Sequence, residues 1–312
     1  MEALLPPADL SETGRALGFN NARLGFPIPE WADEYILEGY RAGKAQHPQP
    51  PRLKYPEYER KLQQLRLNAY RRGRVVDEGV TVAFLQYIDQ PICPVSYVTL
   101  TRATLTDSDW SIDRANNHGA YSPGNLVVLS TRVNTCKGAL SLDEVLERAS
   151  DSDEIEDGLS GREWSRLASL MYGPTALETG DYFANPQTAQ LPGNLLRVSF
   201  QELQDLIALC CKSRDLRRKV VKMMRDAVTP GLAARFELLL ENANRLAKAQ
   251  AHTHDIWFND ELFDAVKGWL SLVGEDETRM QRMFGVTRSL YEARFPDAED
   301  IAGFRFDSKG YR

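Results

Sequence analysis

The sequence predicts an α+β protein in which a small β-bearing module, residues 91–150, sits between an N-terminal helical region, 1–90, and an all-helical C-terminal domain, 161–312. Three observations predict this. Apolar residues recur every three or four positions on both flanks, the period of a helix with one buried face. The middle carries short β-rich runs punctuated by Pro and Gly instead. Between module and C-terminal domain, Asp151-Ser-Asp-Glu-Ile-Glu-Asp157 has little to bury and reads as an acidic linker over 151–160.

In chain order, Pro29 and Glu30 open a helix running to about Ala42, with Trp31, Tyr35, Ile36 and Tyr40 as its apolar residues. His47-Pro-Gln-Pro-Pro51 is too proline-rich for a helix or a central strand. Tyr58, Leu62, Leu65 and Ala69 place a helix over Tyr55–Arg72 with a basic solvent face, and Val80, Phe84, Tyr87 and Ile88 mark another that ends before Pro91. Cys93–Thr101 and Trp110–Asp113 read as short strands, and Asn125–Leu129 as a third β run after the turn Tyr121-Ser-Pro-Gly124. Thr131–Lys137 can form a short helix, and Ser141-Leu-Asp-Glu144 is a capping box that starts the next. Beyond the linker, Trp164, Leu167, Ala168 and Met171 share a face. Ser199-Phe-Gln-Glu202 is a second capping box ahead of Leu203, Leu206, Ile207 and Cys210. The stripes Leu216/Val220/Met223, Phe236/Leu239/Leu240/Ala243 and Phe263/Val266/Leu270/Val273 complete five or six helices.

Composition narrows the function classes. The chain has 312 residues, 43% of them hydrophobic, and no apolar run long enough to cross a bilayer. Its first residues, Met-Glu-Ala-Leu-Leu-Pro-Pro, lack the basic and apolar regions of a secretory signal. Four cysteines make no disulfide framework at this size. A soluble cytoplasmic protein with no membrane partner is expected. The net charge of −6 argues against a general nucleic-acid coat, yet the cations are segregated. One cluster runs from Arg41 to Arg74 and includes Arg60, Lys61, Arg66, Arg71 and Arg72; another runs from Lys212 to Arg225. The first directly precedes the β-bearing module and is interleaved with tyrosines, which favours contact with a nucleic-acid backbone.

The chemistry concentrates in Trp110-Ser-Ile-Asp-Arg-Ala-Asn-Asn-His-Gly-Ala-Tyr-Ser-Pro-Gly-Asn125 and the following helix to Lys137-Gly138. Asp113, Asn125, Asn134 and Lys137 stand at intervals of twelve, nine and three. Any one of them is more simply a residue that bonds the backbone of a hairpin. Together they suit a divalent ion that activates a phosphodiester, which asks for hard oxygen ligands with positions left open for water and substrate. Asp113 supplies a carboxylate and Asn134 an amide oxygen; Lys137 lies one turn beyond Asn134 on the same helix face, where a cation can meet a phosphate.

This stretch resembles the HNH (ββα-metal) endonucleases, most closely their phage and mobile-element branch. Members of that branch read Ser-Leu-Asp-Arg-Ile-Asp-Asn, then Tyr-x-Pro-x-Asn, then an Asn near a helix end. The likeness covers residues 93–146 and implies a ββα-metal module that hydrolyses phosphodiesters, in double-stranded DNA by expectation, with the helical flanks gripping or selecting the target. It implies that Asp113 and Asn134 hold Mg²⁺ or Mn²⁺, and that Asn125 ties down the loop beside the catalytic residue. Most HNH enzymes have a histidine base where this chain has Arg114, which stays protonated and can only clamp phosphate. His118 is then the nearest imidazole to act as base, with Tyr121 and a metal-bound water as alternatives. Cys93 and Cys136 stand singly, so no structural zinc is expected. A different class of protein also fits: a nucleic-acid-binding scaffold that has lost hydrolysis. The C-terminal domain is open to a protein partner.

Overall fold

The computed structural model describes residues 10–179 and 185–292. The protein is α+β and mostly helical, with two small two-stranded sheets among the described residues. The described residues up to Asp89 join His118–Leu126 in one compact unit; Gln90–Asn117 and the described residues from Val127 onward form a second.

The first unit opens with a helix that hydrophobic periodicity does not announce, α1 (Leu10–Leu24), packed on α2 (Glu34–Gln46). Their interface is made of glycine as much as of apolar side chains. A Cβ on Gly18 would lie 1.9 Å from the Ile36 carbonyl oxygen, and one on Gly39 the same distance from that of Arg15. The two backbones therefore touch. The helix expected from Pro29 starts later, because the Asp33 side chain accepts from the Ile36 amide at 3.0 Å and caps α2 there. Helix α3 (Pro56–Arg71) buries Tyr58, Leu62, Leu65 and Ala69 as its period predicts. Helix α4 (Val82–Tyr87) is capped by Thr81, whose hydroxyl accepts from the Phe84 amide. The 118–126 segment is tied to this unit through Tyr121: its amide donates to the Val75 carbonyl, and the Asp77 amide donates to its own carbonyl.

In the second unit, the strand expected over Cys93–Thr101 is a turn. Pro94 has no amide hydrogen to give a ladder, the Tyr97 amide donates back to the Cys93 carbonyl, and Tyr97 adopts φ 56°. Arg166 lies over the Tyr97 ring at 4.4 Å and His252 stacks on it at 3.6 Å, which holds that left-handed backbone in place. Strand β1 (Trp110–Arg114) pairs with β2 (Leu126–Ser130), and α5 (Thr131–Lys137) and α6 (Leu142–Leu146) follow. Ser141 and Glu144 form the expected capping box.

Residues 151–160 are a hairpin, not a loose linker. Strands β3 (Ile155–Glu156) and β4 (Leu159–Ser160) pair across a two-residue turn in which Asp157 and Gly158 both have positive φ. Arg162 neutralises Asp151 at 2.7 Å, Arg148 neutralises Asp157 at 2.9 Å, and the Trp164 indole donates to the Glu156 carbonyl. Leu159 is fully buried. Helix α7 (Gly161–Thr179) then shares one apolar core with the module: Val127, Leu129, Val133 and Val145 pack with Leu159, Trp164, Leu167 and Met171. A second core gathers α8 (Ser199–Lys212), α9 (Arg214–Ala227), α10 (Pro230–Ala247), α11 (Asp260–Gly274) and α12 (Glu277–Glu292). At the start of α8 it is Gln201 that accepts from the Val198 amide, so the cap sits one residue before Ser199. No helix among the described residues is long and apolar enough to cross a membrane.

The glycine interface predicts a contrast. Gly18→Ala should lower stability by ~1–3 kcal/mol, because backbone has to move to admit the methyl. Gly268→Ala, exposed inside α11 with nothing within 4 Å of its would-be Cβ, should raise it by ~1 kcal/mol. Urea unfolding midpoints of the two variants measure both.

Candidate active site

Strand β1 ends at Asp113 and Arg114, and α5 packs against that strand. This places the two parts of the motif side by side in the second unit. The Lys137 ammonium is 0% exposed and stands 2.8 Å from Asp113 Oδ2, with the Asp113 side chain 14% exposed. Nζ donates to Asn117 Oδ1, also at 2.8 Å. The approach to Oδ2 is off the hydrogen-bonding axis, so the attraction there is chiefly coulombic. Asn117 Nδ2 donates onward to the Leu140 carbonyl at 3.0 Å. Lys137 is thus the centre of a buried polar knot joining the end of β1, the following turn and the end of α5. The phosphate contact expected of Lys137 is corrected by this burial: its charge faces inward.

Gly138 completes the geometry. It ends α5 with φ 48° and ψ −120°, a backbone conformation open to glycine without strain, and donates its amide to the Asn134 carbonyl.

What Asp113 and Asn134 leave unbonded is as informative as what they bond. Asp113 Oδ1 has no protein partner among the described residues and keeps contact with solvent. Asn134 donates Nδ2 to Ser111 Oγ at 2.6 Å, and its Oδ1 likewise has no protein partner among them. Each residue is therefore anchored by one side-chain atom and offers one hard oxygen. Two such oxygens suit Mg²⁺ or Mn²⁺, because Mg²⁺ is commonly held through one or two carboxylates with water and substrate phosphate completing its shell. Among the described residues there is no group of three or more His, Cys, Asp or Glu side chains that could hold a metal without such help.

Arg114 is 7% exposed, and its Nη1 donates to the Asn117 carbonyl at 2.7 Å. It fixes the turn after β1. Asn125 is fully buried and donates Nδ2 to the Ala120 carbonyl, holding the loop that carries His118 and Tyr121. His118 is exposed and belongs with that loop to the first unit.

The cations of α3 are engaged within their own unit. The Arg60 guanidinium lies over Phe26 at 5.6 Å and that of Arg71 over Trp31 at 5.4 Å. Arg66 donates to the Val80 carbonyl, and Arg72 to the Tyr121 hydroxyl at 3.2 Å. Lys61 is half-buried and also has a partner. The run His252-Thr-His254-Asp255 does not gather a site either, since His254 pairs with buried Asp205 at 2.6 Å while Asp255 pairs with Arg166.

Two anchoring residues, Ser111 and Asn117, carry no role in the sequence reading, although they stand at the first and last positions of the Ser-x-Asp-Arg-x-x-Asn pattern. That pattern is the signal that could have found them. No family model, curated protein or solved structure matches the chain.

The buried knot makes a stability prediction. Asp113→Ala leaves the Lys137 ammonium buried without a counter-charge, so it should cost ~3–5 kcal/mol. Adding Lys137→Met should recover most of that loss, as read from urea unfolding of the single and double variants. A single variant as stable as the parent would show that Lys137 does not depend on Asp113.

Proposed function

We propose that the β1–β2–α5 region is a divalent-metal-dependent nuclease of the HNH kind, acting on phosphodiesters and in particular on DNA. The observation that carries the reading is the pair of outward oxygens, Asp113 Oδ1 and Asn134 Oδ1, each on a side chain whose other polar atom the protein has anchored. A divalent ion held there supplies charge neutralisation at the scissile phosphate and a more acidic bound water. The chain's own residues do the positioning. Lys137 aims the Asp113 carboxylate, Ser111 aims the Asn134 amide, and Arg114 and Asn117 hold the turn between them and the loop. His118 is the proposed general base.

One observation favours a second reading. Lys137 already neutralises Asp113, and Arg114 is bound to backbone, which together make a self-sufficient knot. A nucleic-acid-binding scaffold without hydrolysis would be built in this way.

Supercoiled plasmid incubated with Mg²⁺, Mn²⁺ or EDTA separates the two. Under the nuclease reading the parent nicks with metal and not with EDTA. Asn134→Ala should bind Mn²⁺ more weakly by electron paramagnetic resonance and nick more slowly with an unchanged fold. Asp113→Ala combined with Lys137→Met should fold and not nick. His118→Ala should slow nicking by roughly a hundredfold while Mn²⁺ binding persists. A parent that binds duplex and leaves it intact with either metal selects the scaffold reading.

A further inference from the structure

Helix α9 is the most basic element of the second unit, and its cations are disposed unlike those of α3. Val220, Met224 and Ala227 face the core, where they pack with Phe236 and Leu240. The opposite side carries Arg214, Arg218, Lys222 and Arg225, all exposed, at steps of four, four and three. Such steps keep side chains on one face, so these four form a ridge roughly 16 Å long at the helical rise. Arg225 is held by Glu237 at 2.7 Å, and Arg218 makes a loose pair with Asp215 in which both side chains are more than four-fifths exposed. The side chains of Arg214, Lys219 and Lys222 form no hydrogen bond or ion pair among the described residues. The basic residues of α3 instead lean on rings or donate to neighbours in their own unit.

We infer that the α9 ridge is the chain's docking surface for the phosphate backbone of a nucleic acid, with Arg214, Arg218 and Lys222 as its phosphate contacts. The inference rests on the nuclease reading only in taking nucleic acid as the partner. A chain of net charge −6 that concentrates exposed cations along one straight edge complements a regularly charged polyanion. A lipid surface fits less well. A membrane-seated helix inserts its apolar side between lipids, and that side of α9 is already buried in the protein core.

The test measures the affinity of the full chain for a fluorescent DNA duplex over a range of salt concentrations. The variant carries Arg214→Gln, Arg218→Gln and Lys222→Gln together. Its slope of log affinity against log salt should be shallower than the parent's by about three, at about 0.9 for each phosphate that is no longer neutralised, with melting by circular dichroism unchanged. If the triple variant does not fold, Lys222→Gln alone should remove about one unit of slope. Unchanged slopes overturn the proposal, as does loss of binding to phosphatidylserine vesicles while duplex binding stays intact. Plasmid nicking by the parent decides the nuclease reading separately. A parent that nicks but whose slope ignores α9 overturns only the ridge. One that binds through α9 and never nicks overturns only the nuclease. One that neither binds nor nicks overturns both.

Discussion

The buried pair of Asp113 and Lys137 is the constraint around which the site is built. An ammonium with no exposure cannot be left without a counter-charge, since removing an ion from water costs several kcal/mol even after relaxation. Lys137 therefore has to find both Asp113 and Asn117, and in doing so it sets three distances at once: strand end to helix end, strand end to turn, and turn to the chain beyond Gly138. The direction of the Asp113 carboxylate follows. With Oδ2 drawn inward, Oδ1 is the oxygen left open to solvent.

That knot would be of little use on a mobile module, and the module is not free-standing. Its apolar face is continuous with α7, and Arg132 at the start of α5 is paired with Glu163 at the start of α7. From the other side, Arg166 on α7 reaches both Tyr97 and Asp255. Side chains held by elements that are themselves packed lose little entropy when a ligand arrives, which is how a site with few ligands can still bind. The acidic stretch 151–160 belongs to the same arrangement: Arg162 matches Asp151 and Asp153, Arg148 matches Asp157, and its one buried side chain, Leu159, joins the shared core.

How much of this was legible in the sequence depended on the kind of signal. Helices with an apolar stripe (α3 and α7 to α11) could be read from period, and β1 and β2 from their flanking turns. Helix α1 could not, because Gly18, Gly39 and Gly43 press against the facing helix's backbone where a hydrophobic pattern would be sought, and glycine reads as a helix breaker. The strand expected at 93–101 failed for a tertiary reason, the Tyr97 ring clasped by Arg166 and His252 from far along the chain. In the site, the spacing of Asp113, Asn134 and Lys137 singled out residues that the fold brings together or anchors. It could not reveal which way a lysine faces, since an i, i+3 step puts Lys137 on the face of Asn134 whether that face looks out or in.

Arg114 sets the last condition on the chemistry. A guanidinium cannot accept a proton near neutral pH, and this one is buried with a backbone carbonyl as its partner. The position directly after Asp113 therefore contributes geometry and no base. Under the proposed nuclease reading the proton would go to a group other than Arg114, either the His118 imidazole or solvent, from a water that a bound ion would make more acidic. In the second case a bound ion would supply the activation, and the chain's own residues would hold two oxygens still. The anchoring of Oδ2 by Lys137 and of the Asn134 amide by Ser111 is suited to that contribution.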